Sequence, residues 1–162
     1  MPGVTSLNTA NRSRDAGPGN YATNIKTITA SLTMDTGNSG QTIIIDAAAG
    51  LTCTLPTATG SGNVYRFLLK TTVTSNNVVV QVNNSTDAFV GFNNVISDDA
   101  GGPAKGFIAS AASDDTITLN GTTKGGYAGD FIEVLDIASG LFSVQIYGKA
   151  TGTEATPFSA AV

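Results

Sequence analysis

The chain has no histidine, no tryptophan and a single cysteine. Without histidine, neither a histidine general base nor a Ser-His-Asp triad can be assembled. The same absence rules out a zinc centre of cysteines and histidines. One thiol forms no intrachain disulfide, so a disulfide framework does not support the fold. Charge is scarce too. Only 12% of residues are Asp, Glu, Lys or Arg, against a usual ~25%. Eight Lys and Arg face twelve Asp and Glu, a net charge of -4. No basic run is present to neutralise phosphates, so nucleic acid is not an expected partner. No apolar run approaches the ~20 residues of a membrane-crossing helix, so no membrane partner is expected. Met1-Pro2-Gly3-Val4-Thr5-Ser6 lacks the basic start and apolar stretch of a signal peptide. That predicts a soluble protein made in a cytoplasm.

What is present is small and polar. The chain carries 23 Thr, 13 Ser, 13 Asn and 19 Gly among 162 residues, with an apolar fraction of 41%. That apolar fraction is enough for the core of one domain, which at this length buries roughly 70% of the unfolded surface. Thr, Val and Ile are stiff at χ1 and suit a pleated surface. Gly and Asn supply turns.

Residues 1–24 read as an N-terminal arm. Pro2, Gly3, Gly17, Pro18 and Gly19 interrupt them, no hydrophobic period is sustained, and two of the three arginines, Arg12 and Arg14, lie there. Such a segment is expected to stay flexible until a partner fixes it. From residue 25 to 147 short β-rich runs alternate with turn residues. They include 25–33, 42–46, 51–55, 64–70, 78–82, a weaker run 89–96 broken by Gly91 and Asn93-Asn94, 107–110, 116–119, 131–137 and 142–147. Thr42-Ile43-Ile44-Ile45-Asp46 reads as a strand buried on both faces. Asn120-Gly121 is a tight-turn signal. The pattern predicts an all-β domain, an antiparallel sandwich or jelly-roll-like barrel of about ten short strands. Residues 148–162 read as a flexible C-terminal tail, with Phe158 as a lone aromatic anchor.

Candidate chemistry is thin. Asp98-Asp99 and Asp114-Asp115 are the densest acidic points. Neither has the spacing of a calcium loop, and aspartate belongs in turns because its side chain bonds nearby backbone. A glycosidase pair needs aromatics to hold sugar, and only four tyrosines are available. Gly60-Ser61-Gly62 and Gly125-Gly126 could cradle an anion, but neither opens a helix or precedes a Lys-Ser/Thr pair. Cys53 alternates with threonines in Leu51–Leu55 and reads as a small buried hydrophobe. Arg66, between Tyr65 and Phe67, reads as an exposed or edge arginine. No catalytic residue, metal ligand, cofactor or small-molecule substrate is expected, and the chain does not read as an enzyme. The candidate partner contacts are Arg12, Arg14 and Phe158.

Three stretches resemble a known family. They are Thr54-Leu55-Pro56-Thr57-Ala58-Thr59-Gly60-Ser61-Gly62-Asn63-Val64-Tyr65-Arg66-Phe67; Asp114-Asp115-Thr116-Ile117-Thr118-Leu119-Asn120-Gly121-Thr122-Thr123 with Gly129-Asp130-Phe131-Ile132-Glu133-Val134 following; and the tail Ala150-Thr151-Gly152-Thr153-Glu154-Ala155-Thr156-Pro157-Phe158. Together they resemble the capsid decoration (cement, or head-stabilising) proteins of tailed bacteriophages. The resemblance implies a structural virion protein on the capsid exterior. Its implied partners are the major capsid protein and copies of itself, most often as a homotrimer, and it implies no catalytic residues. The first stretch also resembles β-modules of phage tail fibres. A receptor- or carbohydrate-binding module of a fibre is therefore the alternative.

Overall fold

The computed structural model describes residues 24–98, 102–110 and 112–162. Among them the chain is all-β. Twelve strands run in the order β1 (Ile25–Ile28), β2 (Leu32–Thr33), β3 (Thr42–Ile45), β4 (Leu51–Thr54), β5 (Val64–Leu69), β6 (Val78–Gln81), β7 (Ala88–Ser97), β8 (Lys105–Ala109), β9 (Thr116–Leu119), β10 (Phe131–Ala138), β11 (Leu141–Ala150) and β12 (Phe158–Ser159). They form a sandwich of a seven-stranded sheet, β1-β3-β5-β10-β11-β7-β8, and a five-stranded sheet, β12-β9-β6-β4-β2.

The first six strands alternate between the sheets. β1, β3 and β5 stack in parallel in one sheet, while β2, β4 and β6 stack in parallel in the other. Parallel neighbours need a crossover connection. Here each crossover is a strand of the opposite sheet, so three stacked turns of chain form without an α-helix, with one 3-10 turn at Thr36–Asn38. The turns differ in length, which is why no sequence period betrays them. An antiparallel sandwich was the expectation, and the structure corrects it to a mixed one. β7 also runs parallel to β11, whereas β5–β10, β10–β11, β7–β8, β6–β9 and β9–β12 are antiparallel.

Period-two alternation builds the core. Tyr65, Phe67 and Leu69 of β5 point inward, as do Ile132 and Val134 of β10 and Val144 and Ile146 of β11. They meet Leu51, Cys53, Val78, Val80, Ile117 and Leu119 from the five-stranded sheet. Phe89 and Phe142 add a tilted aromatic pair with centroids 6.2 Å apart.

Two expectations change here. The run 89–96 is not broken, and β7 is one continuous strand. Gly91 adopts φ 145°, and a Cβ there would lie 1.9 Å from the Val144 carbonyl oxygen. Glycine is what lets β7 approach β11. The residues from 148 on are not a loose tail either. β11 continues to Ala150, and Phe158 is buried in β12 against Ile117 of β9. The Ala155 N–H donates to the Thr123 carbonyl, and the Asp115 carboxylate accepts from the N–H groups of Ala161 and Val162. A two-residue strand is too short to show a period, so its packing was invisible in the sequence.

Candidate functional site

Of the three candidate contacts, Arg12 and Arg14 lie outside the described residues. Phe158 is 5% exposed and belongs to the core. It anchors the chain's own C-terminal segment, so a side-chain contact with an outside partner is not available in this fold.

The acidic pairs take local roles. Asp114 accepts the Ser110 N–H, and Asp115 accepts the Thr116 hydroxyl beside the two C-terminal N–H groups. Asp98 is exposed, and Asp99 lies outside the described residues. Among the described residues, no three Cys, Asp or Glu side chains converge as a metal site would require.

Both glycine loops do wrap an anion, but the anion is the chain's own. The Asp136 carboxylate accepts the N–H groups of Thr59, Gly60 and Ser61, and the hydroxyls of Thr59 and Ser61. Burial alone would raise its pKa. The Ser61 hydroxyl and the three N–H groups outweigh burial and hold it below the usual carboxylate range. Asp130 likewise accepts from Gly126, Tyr127 and Lys149 N–H. Its deeper burial wins over those donors, and its pKa is raised. These two carboxylates, at the two ends of β10, pin the loops to the sandwich. Sequence reasoning missed both, because each loop and its aspartate are joined only by the fold.

Cys53 is fully buried, and desolvation pushes its thiol up to about 12, the opposite of an activated nucleophile. Arg66 is not at an edge. It sits on the third strand of seven and pairs with its cross-strand partner Glu133 at 2.7 Å. On the outermost strand β8, Lys105 forms an ion pair with Glu154, which is itself buried. The Lys105 ammonium first, and the Ser97 hydroxyl second, lower the Glu154 carboxyl to about 2.

The outward faces of the two sheets differ in kind. On the five-stranded sheet one outward row is Thr52-Val79-Thr118, and the next contains Thr33, Thr54 and Gln81. This is the threonine surface the composition suggests. The seven-stranded sheet is otherwise. One outward row reads Thr42-Arg66-Glu133-Gln145-Phe92-Ile108. A second reads Ile44-Leu68-Phe131-Tyr147-Asn94 and a third Val64-Leu135-Ser143-Val90. Ile44 is thus half-buried on the outer face, which corrects the reading of β3 as buried on both faces. Exposure peaks toward β8: Ile108 is 82% exposed, Ile96 65%, Tyr147 46% and Phe92 41%. Phe92 and Tyr147 meet edge to face. Beside them an open depression is lined by Ile96, Tyr147, Gly148, Lys149, Asp130 and neighbours. The Lys149 ammonium lies over the Tyr127 ring, 4.9 Å from its centroid. This face is the candidate functional site, and its chemistry is contact by an apolar surface.

The chain matches no protein-family model, no curated protein and no solved structure.

Proposed function

We propose that the protein is a structural component of a tailed-phage virion that binds the outside of the capsid and stabilises the shell. The observation that supports this most directly is the apolar outer face of the seven-stranded sheet. Monomeric proteins rarely leave such a patch without a binding role. Asp136, Asp130 and Asp115 hold loops or the C-terminal segment and the thiol is shut away, which supports a structural role over a catalytic one. The three stretches that resemble decoration proteins supply the choice of partner. Such a protein acts by mass action. It binds the assembled lattice better than free subunits and stabilises the shell at many equivalent sites. Residues 1–24, with Arg12 and Arg14, are the segment proposed to clasp neighbouring subunits.

Immunogold electron microscopy on particles made from a genome that encodes the chain tests this. Label over the head surface is the expected result. Particles that carry none of the chain would contradict the proposal. The alternative, a receptor- or carbohydrate-binding module of a tail fibre, draws on the depression beside Tyr147, an aromatic wall on which a sugar ring could stack. Label at fibre tips, together with glycan binding by the purified protein, would favour it.

A further inference from the structure

We propose that the outer face of the seven-stranded sheet is buried against the same face of a second copy of this chain. It assigns to a second copy the face that supports the proposed function as an assembly surface, which leaves capsid contact to the rest of the molecule, and its test concerns the protein alone in solution.

The first support is the contrast within one molecule. Both sheets are drawn from the same threonine-rich sequence, yet one has threonine across its outer rows and on the second threonine is confined to Thr27 and Thr42 of β1 and β3. The second presents Leu68, Phe131, Tyr147, Phe92, Ile96 and Ile108 across its strands. Solvent alone does not require that difference.

Charge is the second support. The chain carries a net -4, so two copies repel through most of their surface. On the outward rows of this sheet the charged residues are Arg66 and Glu133, which neutralise each other, and Lys149, the cross-strand partner of Ile96. At the rim, Lys70 pairs with Asp46, and Lys149 lies over Tyr127. Apart from Asp98, exposed at the end of β7, two copies meeting here would bring together little of the excess negative charge.

Size is the third. Seven strands span roughly 29 Å across and the outward rows run roughly 20 Å along them, at ~4.8 Å between strands and ~3.3 Å per residue. That is on the order of 600 Å² per copy, or about 1,200 Å² for the pair, above the ~1,000 Å² expected of a specific interface. The same width argues for two copies over three. Sheets roughly 29 Å wide set around a three-fold axis would stand about 8 Å from it, whereas each side-chain layer fills about 5 Å of the ~10 Å between packed sheets. Three faces would enclose a void, and two would not. The interface is then isologous, with each face serving as both halves.

Analytical ultracentrifugation of the full chain from micromolar to millimolar concentration tests the proposal. Three proteins are compared: wild type, the double variant Ile96→Lys/Ile108→Lys, and Thr52→Lys on the five-stranded sheet. The expected result is a rise toward the mass of two copies for wild type and for Thr52→Lys. The double variant should hold the mass of one copy at every concentration, with an unchanged circular dichroism spectrum and melting curve. A wild type that stays at one copy, or assembles as three, would overturn the proposal. So would a double variant that associates like wild type, or a Thr52→Lys variant that dissociates like the double variant.

Discussion

Replacing Asp136 with Asn removes one charge and no volume, so it isolates what that carboxylate does for the fold. In the native structure Oδ1 accepts from Gly60 and Thr59 N–H, while Oδ2 accepts from Ser61 N–H and from two hydroxyls. An asparagine has one carbonyl oxygen, and its amide group donates. If the oxygen faces Gly60, the hydroxyls of Thr59 and Ser61 can rotate to accept from the amide, but the Ser61 N–H cannot. That leaves one part-buried donor facing another, at the low end of about 1–3 kcal/mol because water can partly reach it. The remaining hydrogen bonds change from charge-assisted to neutral, about 1 kcal/mol apiece. Flipping the amide only moves the orphan to Gly60. The sum is a loss of about 3 kcal/mol, a large share of the ~5–15 kcal/mol that holds a domain folded. Urea denaturation followed by far-ultraviolet circular dichroism measures it, and the melting temperature should fall by roughly 10 °C. A loss under about 1 kcal/mol would refute the reasoning, because it would mean that the loop finds its partners elsewhere or leaves them in water.

Other substitutions probe other contacts. Gly91→Ala should cost about 3 kcal/mol or more, since its Cβ would sit 1.9 Å from the Val144 carbonyl oxygen at φ 145°. Gly129→Ala, at φ 97° with open space around it, should cost only about 1–2 kcal/mol in the same urea assay. Phe158→Ala should destabilise by about 3–5 kcal/mol and open the C-terminal segment to proteolysis, because that ring is core and β12 closes the five-stranded sheet. The Glu154 carboxyl is lowered in the folded state, so its contribution is full above its ordinary value of 4.5 and is lost as pH falls toward about 2. Melting temperature should therefore drop across that interval in wild type and drop less steeply in Glu154→Gln. Parallel curves would contradict the role of the Lys105 pair.

The strands were legible because their chemistry is local. β-branched runs and alternation mark β4, β5, β6 and β10 within a residue or two, and the start of β11. β2 and β12, two residues each, carry no period. Pairing direction was illegible for a different reason. A short connection fits a hairpin or a step to the opposite sheet equally well, and the first six strands take the step. Gly91 looked like an interruption because its purpose, a close approach to Val144, involves a strand about fifty residues away. The anion cradles show the same limit. Gly60-Ser61-Gly62 could be recognised as a cradle, but its occupant, Asp136, is distant in sequence. The apolar outer face was hidden by alternation itself. Where both phases of a strand are apolar, as in Ile43-Ile44-Ile45, the period does not say which side meets water.

Copy number per particle is the most direct measure of whether this chain stabilises a shell. Virions purified on a density gradient can be denatured and their proteins quantified by mass spectrometry against labelled standards. A protein that decorates the lattice is expected in a fixed ratio to the major capsid protein, with many copies on every head. A handful of copies per particle, or copies that leave with detached tails, would contradict that role.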